Sequence, residues 1–380
     1  TVTGVGAKIA ITDDGLQETH PDLSPNVRAD LSYDYFSNDD DPSPGSNDYH
    51  GTAVAGVAAA RGNNSLGVAG AAFEASLVGV RLTSGFTTDQ QEASAMNHLV
   101  SATEADRVWI NSNSWGPVDS GSALETFGPL TRAAIENGAV NGRGGKGVIY
   151  VWAAGNGRQN QDNVNFDGYA SSRYTIAIGA SSSNGLFSYY SEPGASMVVN
   201  CPSNDGTVGI TTTDLVGSNG YDLSDYTNSF GGTSSATPLA SGIIALMLQR
   251  NPNLTWRDVQ HILIDTATKN NSSSSEWMTN GSGRTFNHAY GFGRIDATAA
   301  INAAATWENV PDLVNPEPTA TVTTPAAIPD NNLSGINQTA NISYGNNLFT
   351  EHVEVTVNIT HEYRGDLRII LTSPSGMQSI

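Results

Sequence analysis

Residues 239–248, Leu-Ala-Ser-Gly-Ile-Ile-Ala-Leu-Met-Leu, carry no charge, and none returns before Arg250. A segment that is apolar all round predicts a helix buried on every side. It follows Gly231-Gly232-Thr233-Ser234-Ser235-Ala236-Thr237-Pro238. Pro238 is tolerable in the first turn, so the helix is predicted to start near Ser234 or Ser235. A serine at the mouth of a buried helix has its hydroxyl presented by rigid backbone and its N–H unpaired. A nucleophile with a built-in oxyanion donor needs both features. The same position also suits a plain helix cap, so the rest of the chain must decide.

With 380 residues, the chain predicts a large domain plus a smaller one. Its net charge of −20 argues against nucleic acid or an anionic membrane surface as a partner. That charge suits a basic ligand, calcium, or an acidic exported protein. No apolar stretch reaches membrane-spanning length, so no membrane span is expected. The N-terminus shows no charged and apolar leader, so the signal of a secreted form would have been removed or would lie outside this chain. The single cysteine, Cys201, allows no internal disulfide. Reduced cytosol and a bacterial export route both fit that usage.

Lys8–Thr12 reads as a buried strand ending at Asp13-Asp14-Gly15, where open α/β sheets build their sites. His20-Pro21-Asp22-Leu23 and a dense acidic loop with Asp34, Asp39, Asp40, Asp41 and Asp48 follow. Such charge either stays disordered or binds a hard cation. His50 opens a small-residue helix, and residues 62–68 read as a tight loop of carbonyls and amides. Further strands are expected at 76–81, 108–112, 148–153 and 174–179, with helices at 88–103 and 124–137. Strands alternating with helices predict a mostly parallel sheet covered on both faces. Residues 311–329, rich in Pro, Thr and Ala, read as a linker. Beyond it, 351–360 alternates at period two and 367–372 follows, reading as β-sandwich strands with a turn at Ser373-Pro374-Ser375-Gly376. The strands are too few to close a sandwich, so this second domain reads as incomplete.

Asp13 at a strand end and His50 and Ser234 at helix starts are the residue types that acyl transfer requires. Serine needs a general base, and the base needs a carboxylate to fix its tautomer. The order Asp, His, Ser is one of the known orders, though order alone is weak. The local contexts Ile11-Thr12-Asp13-Asp14-Gly15, His50-Gly51-Thr52, Ala154-Gly155-Asn156-Gly157 and Gly232-Thr233-Ser234 resemble the subtilisin-like serine proteases over residues 4 to about 305. The resemblance implies a doubly wound sheet, a triad of Asp13, His50 and Ser234, and Asn156 as second oxyanion donor. Domains are expected at 1–308 (peptidase), 309–330 (linker) and 331–380 (start of an all-β jelly-roll P domain).

The doubled aspartate, Ser114-Trp115-Gly116-Pro117 followed by Asp119, and Asn156-Gly157-Arg158 through Asp162 to Asp167-Gly168-Tyr169 narrow the resemblance to the kexin and furin branch. In that branch acids line the cleft and select basic residues. By this match Asp119 and Asp167 face a P1 arginine or lysine, with Ser114, Trp115 and Gly116 in the cleft. Asp14 faces P2, helped by Asn47 or Asp48, and Glu92 and Tyr169 sit near P4, where Glu125 is a further candidate. Glu92 and Asp48 fit simple surface carboxylates as well. Carboxylates gathered in a pocket reward a bound guanidinium or ammonium.

Three calcium sites are implied by the same resemblance. Asp22 with Gly62, Asn64, Leu66 and Val68 forms one, Asp119 with Asp162 and Glu192 a second, and Asp34 with Asp39 and Asp41 a third. Oxygen-only donor sets suit calcium. Tyr363-Arg364-Gly365-Asp366-Leu367 and the turn at 373–376 carry the P-domain match. The reading that follows is a secreted or periplasmic, calcium-dependent endopeptidase cutting protein or peptide substrates after paired basic residues. A propeptide or folding chaperone would be a possible partner. The alternatives are a broad-specificity subtilisin whose acidic cleft only binds metal, and a non-catalytic binding protein.

Overall fold

The computed structural model describes residues 1–314, 317–323, 326–343 and 349–380. The elements run β1 (Lys8–Asp13), β2 (Tyr33–Asp34), α1 (His50–Ala59), β3 (Ser76–Arg81), α2 (Asp89–Met96), β4 (Ile110–Asn113), α3 (Pro129–Gly145), β5 (Ile149–Ala153), β6 (Thr175–Ser181), β7 (Met197–Pro202), β8 (Ile210–Thr213), β9 (Tyr226–Phe230), α4 (Thr233–Arg250), α5 (Trp256–Thr266), β10 (Met278–Thr279), β11 (Thr285–Phe286), α6 (Ala297–Ala304), β12 (Leu371–Thr372) and β13 (Gln378–Ser379).

Seven strands form one sheet in the order β2-β3-β1-β4-β5-β6-β7. All its pairs are parallel. Every residue of β1, β4, β5 and β6 is buried, and β5 accordingly reads as a continuous apolar run, while the polar residues of β4 are buried with hydrogen-bond partners. The register fixes the two faces. Ser112 pairs with Val151 while Asn111 pairs with Tyr150, so Ser112 and Tyr150 point to opposite sides. Ser112 Oγ accepts from Ser241 Oγ of α4 at 2.9 Å. On the other face the Tyr150 hydroxyl donates to the Met96 carbonyl of α2 at 2.7 Å. β1 lies between β3 and β4, so successive connections leave it in opposite directions. The crevice at such a reversal opens at the carboxyl ends of the strands, and Asp13 is the last residue of β1.

The buried helix is present as α4 but starts earlier than expected. Gly232 is its N-cap, with φ +73°, a backbone state that side-chain-bearing residues rarely adopt, and Thr233 is its first residue. Pro238 therefore lies inside the helix, not in the first turn. A proline there cannot donate to the Ser234 carbonyl four residues back. The Ser114 hydroxyl donates to that carbonyl instead, at 3.1 Å, and so stands in for the missing N–H.

Other boundaries moved for local reasons. Helix α3 begins at Pro129, not Leu124, because Pro129 takes the first-turn position and Glu125 is drawn into a backbone bridge with Asp167. Helix α2, opened by a Thr88–Gln91 capping box, ends at Met96 rather than running to Thr103, and Leu99 just beyond has φ +55°. No helix among the described residues is long and apolar enough to cross a membrane.

The chain divides into two compact units, residues 1–309 with 370–380, and residues 310–369. Parts of the expected linker and of the start of the P domain, at 315–316, 324–325 and 344–348, lie outside the described residues. Among the described residues, no strand is formed over the expected 351–360. Residues 370–380 do form the small hairpin β12–β13 about the expected turn, with Gly376 N donating to the Ser373 carbonyl at 2.9 Å.

Candidate active site

β1 carries Asp13 to the rim of the sheet, and α1 begins with His50. His50 Nδ1 lies 2.8 Å from Asp13 Oδ1. A carboxylate can only accept, so Nδ1 carries the proton and Nε2 keeps a free lone pair. Asp13 Oδ1 also accepts from Asp14 N at 2.8 Å, while Oδ2 is buried with no partner among the described residues. The side chains of His50 and Asp13 are 27% and 3% exposed. Burial favours a neutral ring, but the Asp13 carboxylate outweighs it and holds the His50 pKa above its usual value.

Asp14, expected beside P2, first of all caps α1. Its Oδ2 accepts from His50 N at 3.0 Å and its Oδ1 from Gly51 N at 2.7 Å. An acid at a helix N-terminus meets two unpaired amides and the positive end of the dipole. Burial, reinforced by Asp13, still pushes its carboxyl up to about 7.

Ser234 is the second residue of α4, and its hydroxyl donates to the Ser114 carbonyl at 3.3 Å. Asn156 lies beside it after β5. Its Oδ1 accepts from Thr233 N at 2.8 Å and from Thr233 Oγ1 at 3.1 Å. A backbone N–H fixes that oxygen as the acceptor, so the Asn156 Nδ2 hydrogens remain for another oxygen. Asn156 Nδ2 and Ser234 N are thus two donors on the same cleft.

That cleft has a volume of about 240 Å³ and is lined by Ser114, Trp115, Gly116, Asn156, Asp167 and Ser234, and also by Asp119, Asp162 and Glu192. Asp167 Oδ1 accepts from Tyr169 N and Ala170 N, while Oδ2 lies toward Gly116. Burial raises its carboxyl to about 7. Trp115 is anchored by Nε1 donating to the Thr12 carbonyl, 3.0 Å. Tyr169 stacks on Trp152, and its hydroxyl donates to Glu92 Oε2 at 2.7 Å, which joins the two residues expected near P4.

The subtilase family's sequence profile matches residues 4–293, and a proprotein convertase P-domain profile matches 350–380. This chain belongs to the subtilase family. It is 40% identical to human proprotein convertase subtilisin/kexin type 7 over 100% of this chain and 48% of that protein. It is 38% identical to Drosophila melanogaster furin-like protease 1, isoform 1-CRR, over 98% of this chain and 33% of that protein. The chain thus spans about half, or less, of the length of these relatives. Among solved structures, the complex of Aeromonas sobria serine protease with the chaperone ORF2 superposes with a TM-score of 0.77 at 26% identity, covering 86% of this chain and 64% of that one.

The three acids of the second expected metal site in this subtilase converge. Asp119, Asp162 and Glu192 offer carboxylate oxygens that all lie within 4.8 Å of one another. Burial, with the charges of Asp162 and Asp119, pushes the Glu192 carboxyl up to about 8. A side chain at Gly157 would collide with all three acids, so only glycine lets them meet. Such a donor set fits a hard cation. Asp119 Oδ1 also accepts from Asn156 N at 3.3 Å, which ties the cluster to the Asn156 side of the cleft.

At the first expected site, the loop at 62–68 folds over the fully buried Asp22. Asn64 Nδ2 donates to Asp22 Oδ1 at 2.6 Å and Val68 N to Oδ2 at 2.9 Å. Gly62 packs under Phe73, and Leu66 is half exposed, its N–H donating to Asn64 Oδ1.

The third set does not assemble. Asp34 Oδ2 pairs with Arg81 Nη1 at 2.7 Å, while the exposed Asp39 and Asp41 accept from backbone amides two residues on. Asp48 is taken by the same guanidinium, with Oδ2 2.8 Å from Arg81 Nη2. Burial works against that carboxylate, but hydrogen bonds from Ser84 and Arg81 hold its pKa below the usual range. Sequence reasoning missed Arg81, although a charge closing a buried parallel strand was the available signal. It also missed Thr233, which orients Asn156.

Proposed function

We propose that this subtilase is a calcium-dependent serine endopeptidase that cleaves after basic residues, preferably paired ones. The 2.8 Å Asp13–His50 contact at the switch point of the sheet carries the reading, because it leaves His50 Nε2 as a base for the Ser234 side of the cleft. Ser234 Oγ attacks the scissile carbonyl, and its proton passes to His50 Nε2. The charge developing on the carbonyl oxygen is met by Ser234 N–H and Asn156 Nδ2. His50 then gives its proton to the leaving amine, and water repeats the sequence to release the acyl group. Asp13 stays ionised and stabilises the imidazolium.

Asp119 and Asp167 favour arginine or lysine at P1, since a guanidinium would meet two carboxylates and relieve Asp167, which burial holds in an unfavourable state. Asp14 supplies the acid for P2, and Glu92 with Tyr169 supports a basic P4. Asp119, Asp162 and Glu192, and separately Asp22 with the 62–68 loop, would hold calcium, whose charge neutralises these acids and stiffens the cleft wall. A broad-specificity reading draws on one observation, that Arg81 already neutralises Asp48 on the P2 side. A chaperone accompanies the Aeromonas sobria protease, and assisted folding by a chaperone or propeptide is proposed here as well. Export is supported by the acidic composition, and a secreted or periplasmic location is proposed.

A cleavage profile with Lys-Arg, Arg-Arg, Ala-Arg and Leu-Phe peptides, with and without calcium, tests the reading. The dibasic peptides should be cut fastest and chelation should lower every rate. Equal cleavage of the Leu-Phe peptide would leave only the broad-specificity enzyme.

A further inference from the structure

The turn that presents Ser234 is held by the loop leaving β7. Gly232, the N-cap of α4, touches two parts of the site: a side chain on it would come within 3.3 Å of Asn156 Oδ1 and 3.7 Å of Ser234 Oγ. Both of its backbone polar groups are taken by side chains from that loop. Gly232 N donates to Asn204 Oδ1 at 3.1 Å, and the Gly232 carbonyl accepts from Ser203 Oγ at 2.7 Å. Ser235 N and Oγ also approach this carbonyl, at 3.2 and 3.3 Å, but they belong to the same turn and move with it. Tyr190 braces the pair, its hydroxyl donating to Asn204 Oδ1 at 2.6 Å and lying 2.9 Å from Ser203 Oγ. The loop is itself tied to β6, because Ser203 N donates to the Ser181 carbonyl at 2.8 Å. Ser203 and Tyr190 are buried and neither lines the cleft, so neither is placed to meet a substrate.

One rigid unit joins Ser203 to Asn156. The Gly232 carbonyl and the Thr233 N–H belong to the same planar peptide and point in opposite directions. The oxygen end of that plane is held by Ser203. Its N–H end donates to Asn156 Oδ1 at 2.8 Å, the contact that leaves Asn156 Nδ2 free to donate elsewhere. Glycine on one side gives the plane more freedom to rotate than any other residue would, so an anchor from outside the turn has something to restrain. The geometry points to Ser203 and Asn204 as positioning residues for the proposed reaction. Ser203 fixes the Gly232–Thr233 plane and Asn204 the plane before it, and together they keep Asn156 Nδ2 aimed at the carbonyl oxygen of the substrate. Tyr190 holds both in turn. This rests on the serine endopeptidase reading. Neither residue exchanges a proton with the reacting atoms, and each acts through Gly232.

Hydrolysis of an amide with arginine at P1 tests this role, with kcat and KM measured separately and thermal melts showing that each variant is folded. Ser203→Ala should lower kcat between about tenfold and a hundredfold, less than the roughly 10²–10³ expected for removing the Asn156 donor itself. KM should stay within about threefold, because the lost interaction belongs to the transition state. A change that acts through Asn156 has little left to act on once that donor is gone. In an Asn156→Ala background the same substitution should therefore change kcat by less than about threefold, whereas independent effects would multiply. Tyr190→Phe keeps the ring and removes only the hydroxyl. It should lose about fivefold in kcat with the same dependence on Asn156, and it carries the comparison if Ser203→Ala does not fold. A folded Ser203→Ala with kcat within about threefold of the parent overturns the positioning role. So does a loss carried by KM alone, or one that multiplies with that of Asn156→Ala. A parent protein that leaves the amide uncut overturns the endopeptidase reading instead.

Discussion

Asp13→Asn is the most informative single change in this molecule. The carboxylate lies 2.8 Å from His50 Nδ1 and is 3% exposed, and its second oxygen has no other partner among the described residues. At an effective dielectric near 20, two unit charges at that separation interact by about 6 kcal/mol. Partial exposure of the imidazole reduces this, so a loss of about 4–5 kcal/mol from the transition state, which carries the imidazolium, is expected. At about 1.4 kcal/mol per tenfold, that is a fall of roughly 10³ in kcat/KM. The replacement amide can also donate to Nδ1, which would hold the imidazole in the wrong tautomer and add to the loss.

The pH profile distinguishes this role from a merely structural one. His50 must be neutral to accept the proton from Ser234, and Asp13 holds its pKa above the ordinary value. The acid limb of kcat/KM in the parent protein should therefore have its midpoint above about 6.5. Removing the anion makes the imidazolium less stable, so in Asp13→Asn the limb should move to lower pH even as its plateau drops. The assay is hydrolysis of an amide with arginine at P1 between pH 5 and 8, alongside thermal melts that show the variant is folded. A variant retaining activity within tenfold, or an acid limb that stays put or moves upward, would refute the reasoning.

Two further changes test the supports of the site. Ser114→Ala leaves the Ser234 carbonyl without the donor that replaces the missing Pro238 N–H, and should cost about 1–3 kcal/mol, read as a lower urea midpoint at unchanged slope. An equal midpoint would mean that water or a shifted turn satisfies that carbonyl. Adding calcium to chelator-treated protein should stabilise it by about 2.7 kcal/mol at a hundred times the dissociation constant, with the gain reduced in Asp162→Asn. An unchanged melting temperature with calcium would argue against both the 119/162/192 cluster and the Asp22 loop as metal sites.

Much of the site was legible in the chain because its residues lie at element ends, and element ends are local events. Asp13 closes a six-residue buried strand, His50 opens a helix of small residues, and Ser234 sits at the head of an uncharged run that turns apolar. Burial on both faces left β5 and the 239–248 stretch of α4 nearly free of polar residues, and the alternation of strands with helices made the parallel sheet readable. The P-domain strands were less legible, because a period-two pattern shows that a segment could pair but not that a neighbour is at hand.

What the sequence by itself determined was which residue types stand at which ends, and so the alternation of strands and helices and the places of the candidate nucleophile, base and orienting acid. Only the tertiary structure decided how the acids divide their work. The acidic loop, Asp48 and Asp14 look alike in a sequence, since charge density carries no direction. Folding brings Arg81 from the end of β3 between Asp34 and Asp48 and dissolves the third metal set. It turns Asp14 onto the first amides of α1 and brings the carboxylates of Asp119, Asp162 and Glu192 within 4.8 Å of one another. The same holds for Pro238, whose place inside a helix depends on a hydroxyl from 124 residues earlier in the chain. Each case turns on one partner's position, and partners distant in sequence meet only when the sheet and its helices have packed.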